Sequence, residues 1–366
     1  MRSYLSAPLR VDLNLTNRCH LSCKYCYASA NQLYDHFTRE LNVSELDKLF
    51  SELEGLGVFR IQLAGGEPLL RSDFLEIVSN INKYDFVTSL NTTGFFLTQE
   101  ICRSLAKGNF ELVTVSLEGN NTKLHESIKG GVSYERALTA LELLRESSLN
   151  TAIGITLNTY NIGSIFETID LVRNLGVGLV GIQVLCPVGR LMENLDFLPD
   201  RKKYVKFVSE LIRYQKKNPY PKINLNATNE GSVCWEYFYP LEKINRLKLL
   251  KSIWGQDPSY IENEISCTAG ISVCSIGDTG EVYPCEMFCS DSNMSAGNIR
   301  DKSFREIWNS SKLFADFRSL AKGNLKGACA SCKYKWCGGG CRAVAYYSTG
   351  KLNGADTHCY YAQKEK

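Results

Sequence analysis

Val11-Asp-Leu-Asn-Leu-Thr-Asn-Arg-Cys19-His-Leu-Ser-Cys23-Lys-Tyr-Cys26 joins an apolar run over residues 11–15 to a loop that packs three thiols into eight residues. The run reads as a β-strand, which puts the loop at a strand's C-terminal end, where α/β barrels carry their chemistry. A tetrahedral zinc or an ordinary four-iron cluster takes four protein ligands, so three thiols leave one metal position for something other than protein. Outward from this point an alternation of strand and amphipathic helix continues. Further strands are expected over residues 59–63, 85–90, 112–117, 152–157 and 179–185, the last two almost wholly apolar, as parallel strands covered on both faces should be. The clearest helix begins at Asn42, with Glu45 completing a capping box and Val43, Leu46, Leu49, Phe50 and Leu53 on one face. Others are expected near 72–83, 98–107, 133–147 and 163–174. Six such units predict an α/β fold, a partial (β/α)6 TIM-like barrel.

The 366 residues are 44% hydrophobic and carry a net charge of +3, with Lys and Arg scattered rather than gathered into a basic face, so no nucleic-acid partner is expected. Neither a cleavable export signal nor an apolar run of spanning length is present, which reads as no membrane contact and a cytoplasmic location. Fifteen cysteines without an export signal point to metal rather than to disulfides. Past residue 190 the rhythm changes. A helix follows Asp200, and residues 218–263 show no clean period, as a linker or substrate lid would. From Cys267 onward cysteine and glycine dominate, interrupted by a helical stretch over 303–320. This tail is short of aliphatic residues, so metal clusters rather than a core of its own are expected to hold it together. The chain is thus read as three regions, 1–190, 191–263 and 264–366. With 18 residues ahead of Cys19, no room is expected for an N-terminal peptide-recognition domain.

After the second strand comes Gly65-Gly66-Glu67-Pro68. Alone it is a turn; following the cysteine loop on the next strand, it forms a recognisable pair. The chain resembles the radical S-adenosylmethionine (SAM) enzymes. The resemblance implies that Cys19, Cys23 and Cys26 hold three irons of a 4Fe-4S cluster and that the amino and carboxylate groups of SAM take the fourth. It implies that Tyr25 is the aromatic residue of the loop and that Gly65, Gly66 and Glu67 meet the methionine amino group. Asn91, Thr93, Ser116 and Glu118 would line the ribose and carboxylate, and Leu185 the adenine. Lys129 stands where the family often has arginine, keeping a positive charge for the SAM carboxylate. The chemistry implied is one-electron cleavage of SAM to a 5′-deoxyadenosyl radical that abstracts hydrogen from a substrate.

The tail reads Cys267, Cys274, Gly280-Glu-Val-Tyr-Pro-Cys285, Cys329-Ala-Ser-Cys332, Cys337-Gly-Gly-Gly-Cys341 and Cys359. It resembles the SPASM extension of peptide-modifying radical SAM enzymes. By that match Cys267, Cys274, Cys285 and Cys341 ligate one auxiliary 4Fe-4S cluster, and Cys329, Cys332, Cys337 and Cys359 another, three clusters in all. A pair of zinc sites is the alternative for the tail alone. Glu286 matches an acidic position of sulfatase-maturing relatives and is the candidate catalytic base. Four cysteines remain: Cys102, Cys186, Cys234 and Cys289. Cys102 is expected to pack in a helix; Cys186 and Cys234 are candidates to donate a hydrogen atom or form a thioether. His20 is expected to hydrogen-bond locally. The leading reading is a maturase acting on a peptide or protein by oxidation, crosslinking or epimerisation, fed electrons by a flavodoxin or ferredoxin. The peptide would be presented by a separate recognition protein or by residues 190–263. The alternatives are oxidation of a small molecule or cofactor precursor, and a non-catalytic iron-sulfur or zinc protein.

Overall fold

The computed structural model describes residues 5–31, 39–225, 235–249, 267–333 and 337–363. Six parallel strands, β1 (Arg10–Asn14), β2 (Arg60–Ala64), β3 (Val87–Thr92), β4 (Phe110–Ser116), β5 (Thr151–Leu157) and β6 (Leu179–Val184), lie side by side in sequence order. Between them run α1 (Val43–Gly55), α2 (Phe74–Ile81), α3 (Gln99–Ala106), α4 (Thr122–Lys129), α5 (Tyr134–Glu146) and α6 (Ile165–Asn174). The Asn42 side chain accepts from the Glu45 N–H at 3.0 Å and Glu45 accepts from the Asn42 N–H at 2.9 Å, which fixes the start of α1. Leu46, Leu49, Phe50 and Leu53 then turn to the sheet. The eight-residue α4, set by Asn121 as N-cap and closed by Gly130, was not among the expected helices, and it carries His125 and Lys129.

The sheet does not stop at six strands. After α7 (Arg201–Lys217), capped by Asp200, β7 (Lys222–Leu225) pairs in parallel with β6, and α8 (Trp235–Lys243) follows. The stretch read as a linker or substrate lid without a clean period holds regular structure among its described residues; four residues are too few to display a two-residue period, and α8 contains Pro240. On the other side, β8 (Val273–Ile276) pairs in parallel with β1, and β9 (Glu281–Tyr283) and β10 (Gly297–Asn298) add antiparallel strands. The order is β10-β9-β8-β1-β2-β3-β4-β5-β6-β7.

The tail has a core after all, which corrects the expectation that it lacks one. Val188, Ala269, Tyr283, Phe288, Met294, Phe317, Leu325 and Val344 pack together, with Tyr346 and Tyr347 against them. Aromatic rings bury more surface each than aliphatic side chains, so a count of aliphatics undervalued the segment. The helical stretch is two helices, Phe304–Ser310 and Lys312–Ser319, broken at the extended Ser311. Phe304, Trp308 and Phe314 join the main core of the barrel. Cys102 is buried there too. Cys234 falls outside the described residues.

Candidate functional site

The turn after β2 is built onto the cysteine loop. Gly66 N–H donates to the Thr16 carbonyl at 2.7 Å and Glu67 N–H to that of Arg18 at 2.8 Å. A Cβ on Gly65, whose φ is +132°, would lie 2.4 Å from the Thr16 carbonyl oxygen, and one on Gly66 would lie 2.2 Å from that of Arg18. Only glycine allows the two loops to approach this closely. The loop is also clasped by Asn31, at φ 69°, whose side chain accepts from Cys19 N–H at 2.8 Å and donates to the Cys19 carbonyl at 2.6 Å. Glu67 is fully buried. Its Oε1 accepts from Thr92 Oγ1 (2.7 Å) and Leu69 N–H (3.1 Å), and its Oε2 from Thr93 N–H (2.7 Å) and Thr93 Oγ1 (2.6 Å). The carboxylate thus locks the turn to the end of β3, and the turn's backbone is what faces the cysteine loop.

A second buried carboxylate sits on the other side. Glu118 Oε1 accepts from the Tyr25 hydroxyl at 2.6 Å, and Oε2 from Thr156 N–H at 2.8 Å. Burial raises its carboxyl above the ordinary range against the opposing pull of Lys129 and of the Tyr25 and Thr156 hydrogen bonds. Burial draws the Lys129 ammonium down, yet Cys23, Glu118, Cys19 and Cys26 around it more than offset this and hold it above its usual value. The Lys129 carbonyl lies 3.3 Å from Cys23 Sγ. His125 braces this corner: its Nδ1 accepts from Glu118 N–H at 3.1 Å and its Nε2 meets Ser133 Oγ at 2.9 Å. Asn91 and Ser116 are half-buried at the C-terminal ends of β3 and β4, while Leu185 is buried after β6 with Ile128, Leu191 and Phe197, against Tyr25. His20 departs from expectation. Among the described residues neither ring nitrogen has a hydrogen-bond partner, and the ring packs on Phe95 (4.6 Å) and Phe96 (5.0 Å) instead, with burial, then Lys129, lowering its pKa to about 4.

The tail brings its thiols into two groups. Cys329, Cys332, Cys337 and Cys359 line one cavity of about 290 Å³ together with Gly338, Gly339 and Gly340. Cys267, Cys285 and Cys341 neighbour one another further in, on the tail's core. Glu286 follows Cys285 and faces Asp12, Arg10 and Tyr27; burial, then Asp12, raise its carboxyl to about 7. Cys289 had no assigned role, although its i, i+4 spacing from Cys285 was a usable signal. Its thiol bonds Asn14, faces Cys26 and Glu286, and lines a small polar cavity with Thr16, Gly65 and Asp278.

These residues fit iron-sulfur clusters. Burial pushes the Cys19 thiol up to about 12 and raises that of Cys23, so these sulfurs ionise readily only onto a cation. Each iron of a cluster takes its own thiolate, so four thiols spread around one cavity, as Cys329, Cys332, Cys337 and Cys359 are, suit such a cluster.

Residues 13–172 match the model of the radical SAM superfamily, and residues 267–333 match that of an iron-sulfur cluster-binding domain, SPASM. The chain carries a radical SAM domain followed by a SPASM domain. As a radical SAM enzyme with a SPASM domain it binds SAM and 4Fe-4S iron. It is 29% identical to an AdoMet-dependent heme synthase of Methanosarcina barkeri, over 100% of both chains. It is 28% identical to the mycofactocin maturase MftC of Mycolicibacterium smegmatis, over 97% of this chain and 83% of that one. Among solved structures, Streptococcus suis SuiB bound to its precursor peptide SuiA superposes with a TM-score of 0.76 at 18% identity, over 99% of this chain and 77% of SuiB, a likeness of fold. Among the described residues no helix is long and apolar enough to cross a membrane. Asn31, Arg71 and Thr92 join the radical SAM site without having been singled out in the sequence. Arg71 donates to the Leu15 and Leu41 carbonyls at 2.9 Å each, tying down the chain just before the cysteine loop. A polar residue that serves by clasping backbone carries no motif of its own.

Proposed function

We propose that this radical SAM enzyme abstracts hydrogen from a peptide or protein substrate, as a cytoplasmic maturase. The reading is carried by two cysteine groups of the tail, one of them four thiols around a single cavity, packed beside the cysteine loop of the barrel. When bound, the cluster and SAM supply a one-electron reductive cleavage that yields a 5′-deoxyadenosyl radical. The chain's own residues hold and shield. Cys19, Cys23 and Cys26 would hold the cluster. The backbone of Gly65, Gly66 and Glu67 would receive the SAM amino group, and Lys129 its carboxylate, with Tyr25 held by Glu118. Asn91, Thr93, Ser116 and Leu185 would complete the walls. The count of three clusters follows from the tail: Cys329, Cys332, Cys337 and Cys359 hold one, and Cys267, Cys285 and Cys341 contribute to another. Glu286, buried beside Tyr27, is placed by this reading to take a proton from the substrate. A flavodoxin or ferredoxin would deliver electrons, and a separate peptide-recognition protein would present the substrate.

A second reading is favoured by one observation, the end-to-end similarity to a heme synthase. In that reading the substrate is a tetrapyrrole or another cofactor precursor. Anaerobic reconstitution with dithionite and SAM tests the shared part: 5′-deoxyadenosine forms in the native chain and is lost when Cys19, Cys23 and Cys26 become alanine. A native chain that makes none overturns both readings. Mass spectrometry of candidate peptides and of porphyrin precursors after the same incubation then separates them.

A further inference from the structure

Four thiols meet where the tail packs onto the barrel, and one of them belongs to the barrel. Cys186, just after β6, is hydrogen-bonded through its thiol to Cys341, the neighbour of Cys267 and Cys285. All four pack on the tail's core. Cys274 stands elsewhere. It pairs in register with Val11, as Ile276 does with Leu13, so its side chain shares the face of these residues in the main core of the barrel. The charged groups around it are Asp12, Arg318 and Arg10. A four-iron cluster needs its thiolates to converge on one volume, one per iron. A thiol turned into the helix-covered face of β8 is not in that volume.

We propose that Cys186, rather than Cys274, is the fourth protein ligand of the first auxiliary cluster, completing Cys267, Cys285 and Cys341. Ligation releases the Cys186 thiol proton to solvent and involves no redox change. The proposal rests on the reading of the tail as a two-cluster domain. It gives the segment after β6 a purpose, because the same five residues also reach the cysteine loop. A Cβ on Gly189, at φ +54°, would lie 2.5 Å from the Tyr27 carbonyl oxygen and 2.6 Å from that of Cys26, and Arg190 N–H donates to the Cys26 carbonyl at 3.1 Å. Four residues and one hydrogen bond thus connect a ligand of the auxiliary cluster to a ligand of the SAM-binding one. Val188, fully buried in the tail's core, holds that segment in place.

The test uses the full chain with Cys19, Cys23 and Cys26 replaced by alanine, so that only auxiliary iron is counted. After anaerobic reconstitution this background should hold about eight irons per chain, four per cluster. Adding Cys186→Ala should remove at least one iron per chain and give the electron paramagnetic resonance signal of an oxidised three-iron cluster. The iron held by the Cys329 group remains and shows that the variant folds. Cys274→Ala should leave iron and spectrum unchanged. The assignment is overturned if Cys186→Ala keeps all its iron with an unchanged spectrum, and equally if Cys274→Ala or Cys234→Ala produces the loss instead. A background that takes up zinc, or no metal, overturns the two-cluster reading of the tail itself.

Discussion

Replacing Glu67 with glutamine tests whether the Gly-Gly-Glu turn is held by a buried carboxylate. The side chain accepts four hydrogen bonds, two on each oxygen, and each oxygen serves one backbone N–H: Leu69 on Oε1, Thr93 on Oε2. A glutamine of the same shape has one oxygen and one NH2 group. The hydroxyls of Thr92 and Thr93 can rotate to accept from that NH2, but a backbone N–H cannot. Whichever way the amide is turned, one N–H is left facing donors in a fully buried place. The loss of a charged acceptor and the unsatisfied N–H together cost about 3 kcal/mol. Unfolding entropy of about 2.1 cal/mol/K per residue, over 366 residues, converts this to a fall in melting temperature of about 4 °C. Differential scanning fluorimetry of the anaerobically purified variant reads it. A Glu67→Gln protein melting within about 1 °C of the native chain would refute the account.

Gly66→Ala forces a Cβ to within 2.2 Å of the Arg18 carbonyl oxygen, so the cysteine loop must shift; the expected result is loss of about four irons per chain with auxiliary iron retained, read by iron analysis. Asn31→Ala and Asn31→Gly should both destabilise the SAM-binding cluster, because both remove the two side-chain bonds to Cys19. Glycine suits the positive φ, so a glycine variant with full cluster occupancy would assign Asn31 a backbone role only. His125 has its pKa lowered to about 3 by burial, then by Lys129. As pH falls below about 6.5 the unfolded chain takes up a proton that the folded chain refuses, so stability present above that pH is lost at about 1.4 kcal/mol per pH unit toward pH 3. Urea titrations at pH 7, 6 and 5 should show a slope shallower by this amount in His125→Asn than in the native chain; equal slopes would refute the assignment.

The barrel was legible because its strands are long enough to show their pattern and its reactive loops have fixed spacing. Residues 11–15 and Cys19 to Cys26 required no knowledge of distant contacts. β7 and α4 were not legible: the first is four residues long, and the second is an eight-residue helix defined by its cap. The neighbourhood of Cys274 was out of reach for another reason. Spacing along the tail says which thiols are near in sequence, but the face on which a thiol emerges depends on β8 pairing with β1, a contact across more than 260 residues. A contact across more than 150 residues, to Cys341, likewise hides Cys186, which no tail motif includes. Glu67 and Glu118 illustrate a further limit. A carboxylate in a ligand-binding turn reads as a ligand contact, and only the structure reveals that internal donors already occupy its oxygens.

The parallel pairing of β8 with β1 gives the two matched regions a joint they cannot be cut at. Removing everything after residue 266 would strip β1 of one of its two neighbours and leave those backbone N–H and C=O groups of Arg10–Leu13 that face β8 unpaired beside the reactive loop. An uncovered strand edge of that kind invites pairing with another chain. A shortened protein would therefore be prone to self-association, and loss of activity on truncation would report a damaged barrel as much as a missing cluster.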